Sequence, residues 1–148
     1  MDLILWRHAD AEPHGSRPDL ERALSEEGEA QASRMAAWLN ARLDPQARIL
    51  ASPARRAQQT ASALGRAIRT VEAVTTDVSA RSVLEAAGWP GGQGTVVVVG
   101  HQPTLGMVAS LALTGRAEGW SVDKAAAWWL RRDRGDVVLV AVQSPALL

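Results

Sequence analysis

Two of the three histidines in this sequence stand directly after short apolar runs, where a buried strand would end. His8 follows Arg7 at the end of one run, and His101 follows the run TVVVVG. A third run, at 48–51, leads into the segment SPARR, which contains Arg55 and Arg56. Imidazole and guanidinium groups bind anions, and helix starts near them add free N–H groups. Since the chain has no cysteine and no evident carboxylate cage, these residues predict a site for a phosphoryl group.

The elements that must hold these residues alternate between strand and helix. Residues 3–6, 48–51 and 95–99 have the continuous apolar character of buried strands. Helices are predicted at 26–43 with Ser25 as N-cap, at 53–68 with Ser52 as N-cap and Pro53 in the first turn, at 80–87, and after Pro103. AAWWL and DVVLVAV flank RRDRG and predict a C-terminal hairpin. We therefore expect an α/β protein with a mostly parallel sheet flanked by helices, whose strand ends meet at one edge.

Helical geometry separates the two neighbouring arginines of SPARR. The predicted helix would carry an apolar stripe of Ala57, Ala61, Leu64 and Ile68. At about 100° per residue, Arg55 falls nearly opposite this stripe, whereas Arg56 falls on its flank. Arg56 is therefore predicted to reach the sheet edge, and Arg55 to face water.

Composition limits the classes of protein to which the chain can belong. Its 148 residues, 47% of them hydrophobic, predict one domain over 1–148. Acidic and basic residues number 16 each, so no overall field favours nucleic acid or an acidic membrane surface as a partner. No apolar run approaches the roughly 20 residues that span a bilayer, and no secretory signal is visible, so a cytoplasmic location is expected.

Four segments carry a resemblance to a known family. They are RHADA at 7–11, LSEEGEAQA at 24–32, SPARRAQQT at 52–60 and VVGHQP at 98–103. In this order they resemble the motifs of the histidine phosphatase, or phosphoglycerate mutase-like, superfamily. The short chain is most similar to the compact SixA-type phosphohistidine phosphatases. One departure is Ala9, where the superfamily motif has glycine, so residue 9 is expected to avoid positive φ.

The resemblance implies a three-layer α/β sandwich and roles for four residues. His8 would be the nucleophile that forms a phosphohistidine intermediate, and Arg7, Arg56 and His101 would complete the catalytic phosphate pocket. It also implies that the reaction needs no metal and no other cofactor. Inorganic phosphate, vanadate and tungstate are expected ligands, because the pocket would suit a tetrahedral or trigonal-bipyramidal oxyanion.

No motif assigns the proton donor that larger members of the superfamily use for the leaving group. In the corresponding region this chain offers Asp77 and Glu85. Asp10, Glu12 and Asp19, near the first motif, are further candidates.

This lack of a donor favours a phosphohistidine side chain on a phosphoprotein as the substrate. An alkyl ester expels an alkoxide and needs a positioned acid, whereas imidazole, with an unperturbed pKa of about 6.5, leaves readily. The short segment between Arg56 and His101 leaves little chain for a lid, so an open site is expected. Three alternatives remain: a broad small-molecule phosphomonoesterase with the same pocket, a non-catalytic phosphate-binding module, and a metal site that includes His8 and Asp10.

Overall fold

Six strands form one mixed sheet in the computed structural model, which describes residues 1–148. The strands are β1 (Asp2–Arg7), β2 (Arg48–Ala51), β3 (Arg69–Thr70), β4 (Thr95–Gly100), β5 (Ala127–Asp133) and β6 (Asp136–Gln143). Their order across the sheet is β3-β2-β4-β1-β5-β6. The first four strands are parallel, and β5 and β6 form the predicted antiparallel hairpin beside β1.

Four α-helices flank the sheet. They are α1 (Glu26–Asn40), α2 (Arg55–Ser62), α3 (Ala80–Ala87) and α4 (Thr104–Thr114). Short 3-10 helices cover Asp19–Glu21, Glu72–Val74 and Pro145–Leu147. No helix combines the length and the apolar character that crossing a membrane requires.

The sheet is apolar on both faces because each face packs against two helices. Along β1, Ile4 and Trp6 point into a core shared with α1 and α2, while Leu3 and Leu5 point into a core shared with α3 and α4. All four side chains are fully buried. The alternation follows from the two-residue period of a strand, and it confirms the three-layer α/β sandwich.

Helix α1 packs closely against the loop that follows β1. Ser25 caps the helix, as predicted, since its hydroxyl accepts a hydrogen bond from the Gly28 amide at 3.0 Å. A Cβ at position 28 would collide with the carbonyl oxygen of Asp10, so only glycine allows this approach. The close contact fixes the path of the chain just beyond His8.

The predicted start and end of the second helix are wrong. Helix α2 begins at Arg55 rather than Pro53, because the chain bends at residues 53–54 and Ala54, not Ser52, is the N-cap. The Ser52 hydroxyl accepts the Ala54 amide at 3.1 Å and also pairs with His101, 49 residues away. The helix ends at Ser62 rather than near Ile68, and Gly65 then turns the chain with a φ of +66°.

Candidate active site

The carboxyl ends of β2, β4 and β1, which are neighbours in the sheet, border one polar cleft. Arg7 pairs with Gly100 in the register of β1 and β4, and Ala51 pairs with Val99 in that of β2 and β4. The chain therefore leaves all three strands at nearly the same level. The cleft has a volume of about 450 Å³, and nearly all its lining residues are polar: Arg7, His8, Ala11, Glu12, Pro13, His14, Asp19, Arg22, Arg56, Thr76, Asp77, His101, Gln102 and Lys124.

His8 is held with one ring nitrogen toward the backbone and the other toward the cleft cations. Its Nδ1 lies 2.8 Å from the Ala9 carbonyl oxygen, which can only accept, so Nδ1 carries the proton. Its Nε2 then carries the lone pair, and this nitrogen accepts a hydrogen bond from Nε of Arg56 at 3.3 Å. Ala9 has no positive φ, so alanine fits where the superfamily motif has glycine. The geometry leaves Nε2 as the nitrogen able to act as a nucleophile.

Burial keeps the His8 ring neutral. Desolvation lowers the pKa of His8 to about 4, and the positive charges of Arg56 and Arg7 act in the same direction. The hydrogen bond to Ala9 opposes the shift without reversing it. At neutral pH the ring is therefore unprotonated at Nε2.

The structure places Arg56 inside the cleft and Arg55 outside it. Arg56 is only 3% exposed, and its Nη1 and Nη2 donate to the carbonyl oxygen and a carboxylate oxygen of Asp19 at 2.7 and 3.2 Å. Arg55 is exposed and borders a separate groove beside α1. The helical angle thus separates the two side chains as the sequence predicts.

Arg7 brings a donor that has no partner in the protein. Its Nη1 donates to the Val122 carbonyl at 2.9 Å, which anchors the guanidinium, but its buried Nε makes no hydrogen bond. Burial lowers the pKa of Arg7, yet a guanidinium stays charged at neutral pH. Arg7 also lines the cleft, so its positive charge would attract an oxyanion bound there.

His101 lies against the same cations, with its ring centroid 5.2 Å from that of His8. Its Nδ1 is 3.4 Å from Nη2 of Arg56, which can only donate, so Nδ1 carries the lone pair. Nε2 then donates to the Ser52 hydroxyl at 2.7 Å. Desolvation, together with the nearby His8 and Arg56, lowers the pKa of His101 to about 3. The four residues predicted as the phosphate pocket thus border one cleft.

Two further cations line the cleft, and the sequence did not predict either of them as a site residue. Arg22 is 6% exposed and donates to the Glu12 carbonyl and the Asp19 carboxylate. It lies two residues before the LSEEGEAQA segment, which is the one signal that could have indicated it. Lys124 is the only lysine of the chain, and its Nζ donates to Oδ1 of Asp10 at 2.6 Å. The two residues are 114 positions apart in the sequence, so no local pattern indicates the contact.

The candidate proton donors lie in different places. Glu85 is exposed on α3 and borders another groove, so the expectation that it could serve this cleft is wrong. Asp10 is not in the cleft lining; hydrogen bonds from Lys124 and Ser25 hold its pKa below the ordinary value. Asp77 and Glu12 do line the cleft.

Asp19 also lines the cleft, but its carboxylate is held by two arginines. Partial burial would raise the pKa of Asp19, yet the hydrogen bonds and charges of Arg22 and Arg56 outweigh burial, so its pKa lies below the ordinary value. Asp19 is therefore ionised at neutral pH and has no proton to donate. No group of three or more His, Cys, Asp or Glu is arranged to hold a metal ion.

Comparison with solved structures defines the class of protein. A protein from Agrobacterium tumefaciens assigned as the phosphohistidine phosphatase SixA is 26% identical, with a TM-score of 0.79 over 97% of each chain. The protein histidine phosphatase SixA complexed with tungstate is 23% identical, with a TM-score of 0.84 over 99% of each chain. A phosphoserine phosphatase mutant from Entamoeba histolytica, in complex with phosphoserine, is 17% identical, with a TM-score of 0.74 over 97% of each chain. The fold is phosphoglycerate mutase-like.

The family follows from the sequence. The sequence model of the histidine phosphatase superfamily (branch 1) matches residues 3–81, which is more than half of the chain. The chain belongs to this superfamily. No curated protein matches it.

The two buried histidines predict an unusual pH dependence. We expect His8 to titrate near pH 4, because burial and the arginines oppose its protonation. In the unfolded chain the ring would protonate near pH 6.5, so the free energy of unfolding should fall as the pH drops from about 6.5 towards 4. NMR titration of the three histidine rings, with the His14 signal assigned from His14→Gln, measures the pKa of His8 directly. A His8 ring that titrates near 6.5 would contradict the prediction.

Removing the charge of Asp19 is expected to strengthen oxyanion binding. The Asp19 carboxylate pairs with Arg56, so it would compete with a phosphate-like ligand for that guanidinium, and its negative charge would repel the ligand. Asp19→Asn should bind vanadate roughly two- to fivefold more tightly, the scale of a partly exposed charge pair. Calorimetry measures the affinity, and Glu21→Gln, an exposed neighbour outside the cleft, removes the same charge as a control. Weaker binding in Asp19→Asn alone would mean that Asp19 organises the arginines instead.

Proposed function

We propose that this protein is a phosphohistidine phosphatase that acts on a phosphoprotein through a phosphorylated His8. The observation that carries the proposal is the His8 ring itself. It is neutral, its Nδ1 proton is committed to the Ala9 carbonyl, and its Nε2 lone pair lies among cationic donors. This is the state that nucleophilic attack on phosphorus requires.

The reaction proceeds in two displacements. Nε2 of His8 attacks the phosphorus in line, the new P–N bond forms, and the P–N bond of the substrate histidine breaks. The substrate ring takes up a proton from solvent on its other nitrogen and leaves as neutral imidazole. Water then attacks the phosphoryl group on His8, a P–O bond forms as the P–Nε2 bond breaks, and the proton lost by the water passes to the phosphate or to solvent. Inorganic phosphate is released, and neutral His8, still protonated at Nδ1, is regenerated.

The cations around His8 would stabilise the charge on the transferring group. Arg56 and Arg7 both line the cleft, and their guanidinium groups would carry positive charge to the non-bridging oxygens. His101 presents a lone pair at Nδ1 toward Arg56, so it would bind an oxyanion oxygen only after taking up a proton there. A phosphate dianion favours that protonation because opposite charges raise a histidine pKa.

The state of the carboxylates supports a histidine leaving group. Asp19 is ionised between two arginines, and the oxygens of Asp10 are engaged by Lys124 and Ser25. Neither can protonate an alkoxide at neutral pH. The similarity to one SixA protein assigned as a phosphohistidine phosphatase, and to another described as a protein histidine phosphatase, supports the same substrate.

A broad phosphomonoesterase is the second candidate, and one observation favours it. Asp77 and Glu12 line the same cleft as His8, and a carboxyl group there supports this candidate. If it protonated an alkoxide, the same pocket would hydrolyse alkyl esters. The structural likeness to a phosphoserine phosphatase shows only that this fold also occurs in such a protein.

A substrate series separates the two candidates. We expect fast turnover of a phosphohistidine protein, slower turnover of aryl phosphates and very slow turnover of alkyl phosphates, because leaving-group basicity increases in that order. Asp77→Asn should barely change the phosphohistidine rate, and Glu85→Gln, outside the cleft, is its matched control. Alkyl phosphates reacting as fast as phosphohistidine, with Asp77 essential, would establish the phosphomonoesterase instead.

Three further properties belong to this proposal. The reaction is metal-independent, so excess chelator should leave the rate unchanged. Residues 1–148 act as one domain, which is supported by the pairing of β1 with β5 across the whole chain. Turnover itself would exclude a non-catalytic phosphate-binding module. The cytoplasmic location stays a prediction from the sequence.

A further inference from the structure

We infer that Thr60 is a positioning residue that locks the His8 ring in its reactive tautomer; this inference rests on the proposed role of His8. Thr60 is fully buried in α2, one turn beyond Arg56, and contacts the chain immediately after His8. It closes SPARRAQQT, the segment that also contains Arg56.

The hydroxyl of Thr60 makes two hydrogen bonds with fixed directions. It donates to the Arg56 carbonyl at 2.8 Å, a local bond that threonines in helices often make. Its oxygen then accepts the Ala9 amide at 3.1 Å, across 51 residues. The second bond is the informative one, because it ties helix α2 to the loop after β1.

These bonds complete a closed ring around the reactive nitrogen. The Ala9 amide donates to Thr60, the Ala9 carbonyl accepts Nδ1–H of His8, and Nε2 of His8 accepts Nε–H of Arg56. The Thr60 hydroxyl then returns to the Arg56 carbonyl. Each group in the ring has one possible direction of donation, so the hydroxyl helps to decide which nitrogen of His8 carries the proton.

Water cannot easily take over the role of the hydroxyl. Ala9 and Thr60 are both 0% exposed, so an Ala9 amide without Thr60 would be buried and unpaired. The residue 9 backbone would rotate to find a partner, and its carbonyl would leave Nδ1 of His8. The ring could then place its proton on Nε2, where it blocks attack on phosphorus.

The test combines two substitutions at position 60 with a matched control. Thr60→Val keeps the shape and removes the hydroxyl, whereas Thr60→Ser keeps the hydroxyl. Ser110→Ala removes another fully buried hydroxyl that donates to a carbonyl and accepts an amide, in α4 and outside the cleft lining. Nitrogen-15 NMR of the histidine rings determines the tautomer of His8. Steady-state kinetics gives kcat, and calorimetry gives the affinity for vanadate.

In the wild type, we expect His8 to be protonated at Nδ1 and unprotonated at Nε2. In Thr60→Val, the Nε2-protonated form should appear and kcat should fall roughly 10- to 100-fold, the range for groups that orient a ligating imidazole, with vanadate affinity changing less than about threefold. Thr60→Ser should restore both properties. Ser110→Ala should lose stability without changing tautomer or kcat.

Three results would overturn the inference: an Nε2-protonated His8 in the wild type, an unchanged tautomer and rate in Thr60→Val, or equal impairment in Thr60→Ser and Thr60→Val. If Thr60→Val does not fold, the tautomer of His8 in the wild type and the tautomer and kcat of Thr60→Ser still test the inference. The tautomer measurement needs no turnover. A wild-type protein inactive on phosphohistidine would therefore refute the proposed function, whereas a tautomer change in Thr60→Val would still support the positioning role.

Discussion

Replacing His8 with alanine is expected to leave a folded protein that has lost turnover by a factor on the order of 10³ or more, as for other covalent nucleophiles. The lone pair on Nε2 of His8 lies against the Arg56 guanidinium in the cleft, and in the proposed reaction it is the group that attacks phosphorus. Without it, no P–N bond can form on the enzyme. The fold should persist, because His8 lies at the end of β1 and water from the cleft can fill the space.

The measurement is single-turnover hydrolysis of a phosphohistidine protein, with circular dichroism and vanadate binding as controls. Vanadate should still bind His8→Ala, since Arg7 and Arg56 remain. Substantial activity in a folded His8→Ala protein would rule out the covalent mechanism.

The two neighbouring arginines of α2 provide the second large effect. Arg56→Ala should lower kcat on the order of 10²-fold or more, comparable to the loss of one preorganised donor in an oxyanion site. Arg56 is 3% exposed and donates toward His8, His101 and Asp19, so its loss removes the central cation of the cleft. Arg55→Ala should be nearly neutral, because that side chain lies outside the cleft.

Steady-state kinetics on one aryl phosphate compares the two variants directly. Both substitutions remove the same charge from adjacent positions of one helix, so Arg55→Ala controls for net charge and helix propensity. Equal losses in the two variants would refute the assignment of the phosphate contact to Arg56.

Much of the sheet and its edge could be predicted because the signals are local. The runs before His8 and His101 are apolar without interruption, which is typical of parallel strands covered on both faces. Parallel strands bring their carboxyl ends to one edge, so the two histidines could be expected to approach each other. The helical angle between Arg55 and Arg56 is also local, and the structure places the two side chains as that angle predicts.

The features that escaped prediction depend on contacts between distant parts of the chain. Ser52 has the sequence of an N-cap, but its hydroxyl is engaged by His101, and α2 starts later. Lys124 lines the cleft and pairs with Asp10, 114 residues away in the sequence, so no local pattern could indicate its place. The partner of Nδ1 of His8 is a backbone carbonyl, which every residue has, so no residue type could mark it.

The nitrogen of His8 that carries the phosphoryl group tests the central claim most directly. A radiolabelled phosphohistidine protein is mixed with excess enzyme, the reaction is quenched in alkali, where phosphohistidine survives, and the labelled peptide is mapped by mass spectrometry. We predict a transient, acid-labile phosphoryl group on the peptide that contains His8, bound at Nε2 because Nδ1 donates to Ala9. Label on any other residue or on Nδ1, or hydrolysis with no phosphoenzyme at any time, would contradict the account.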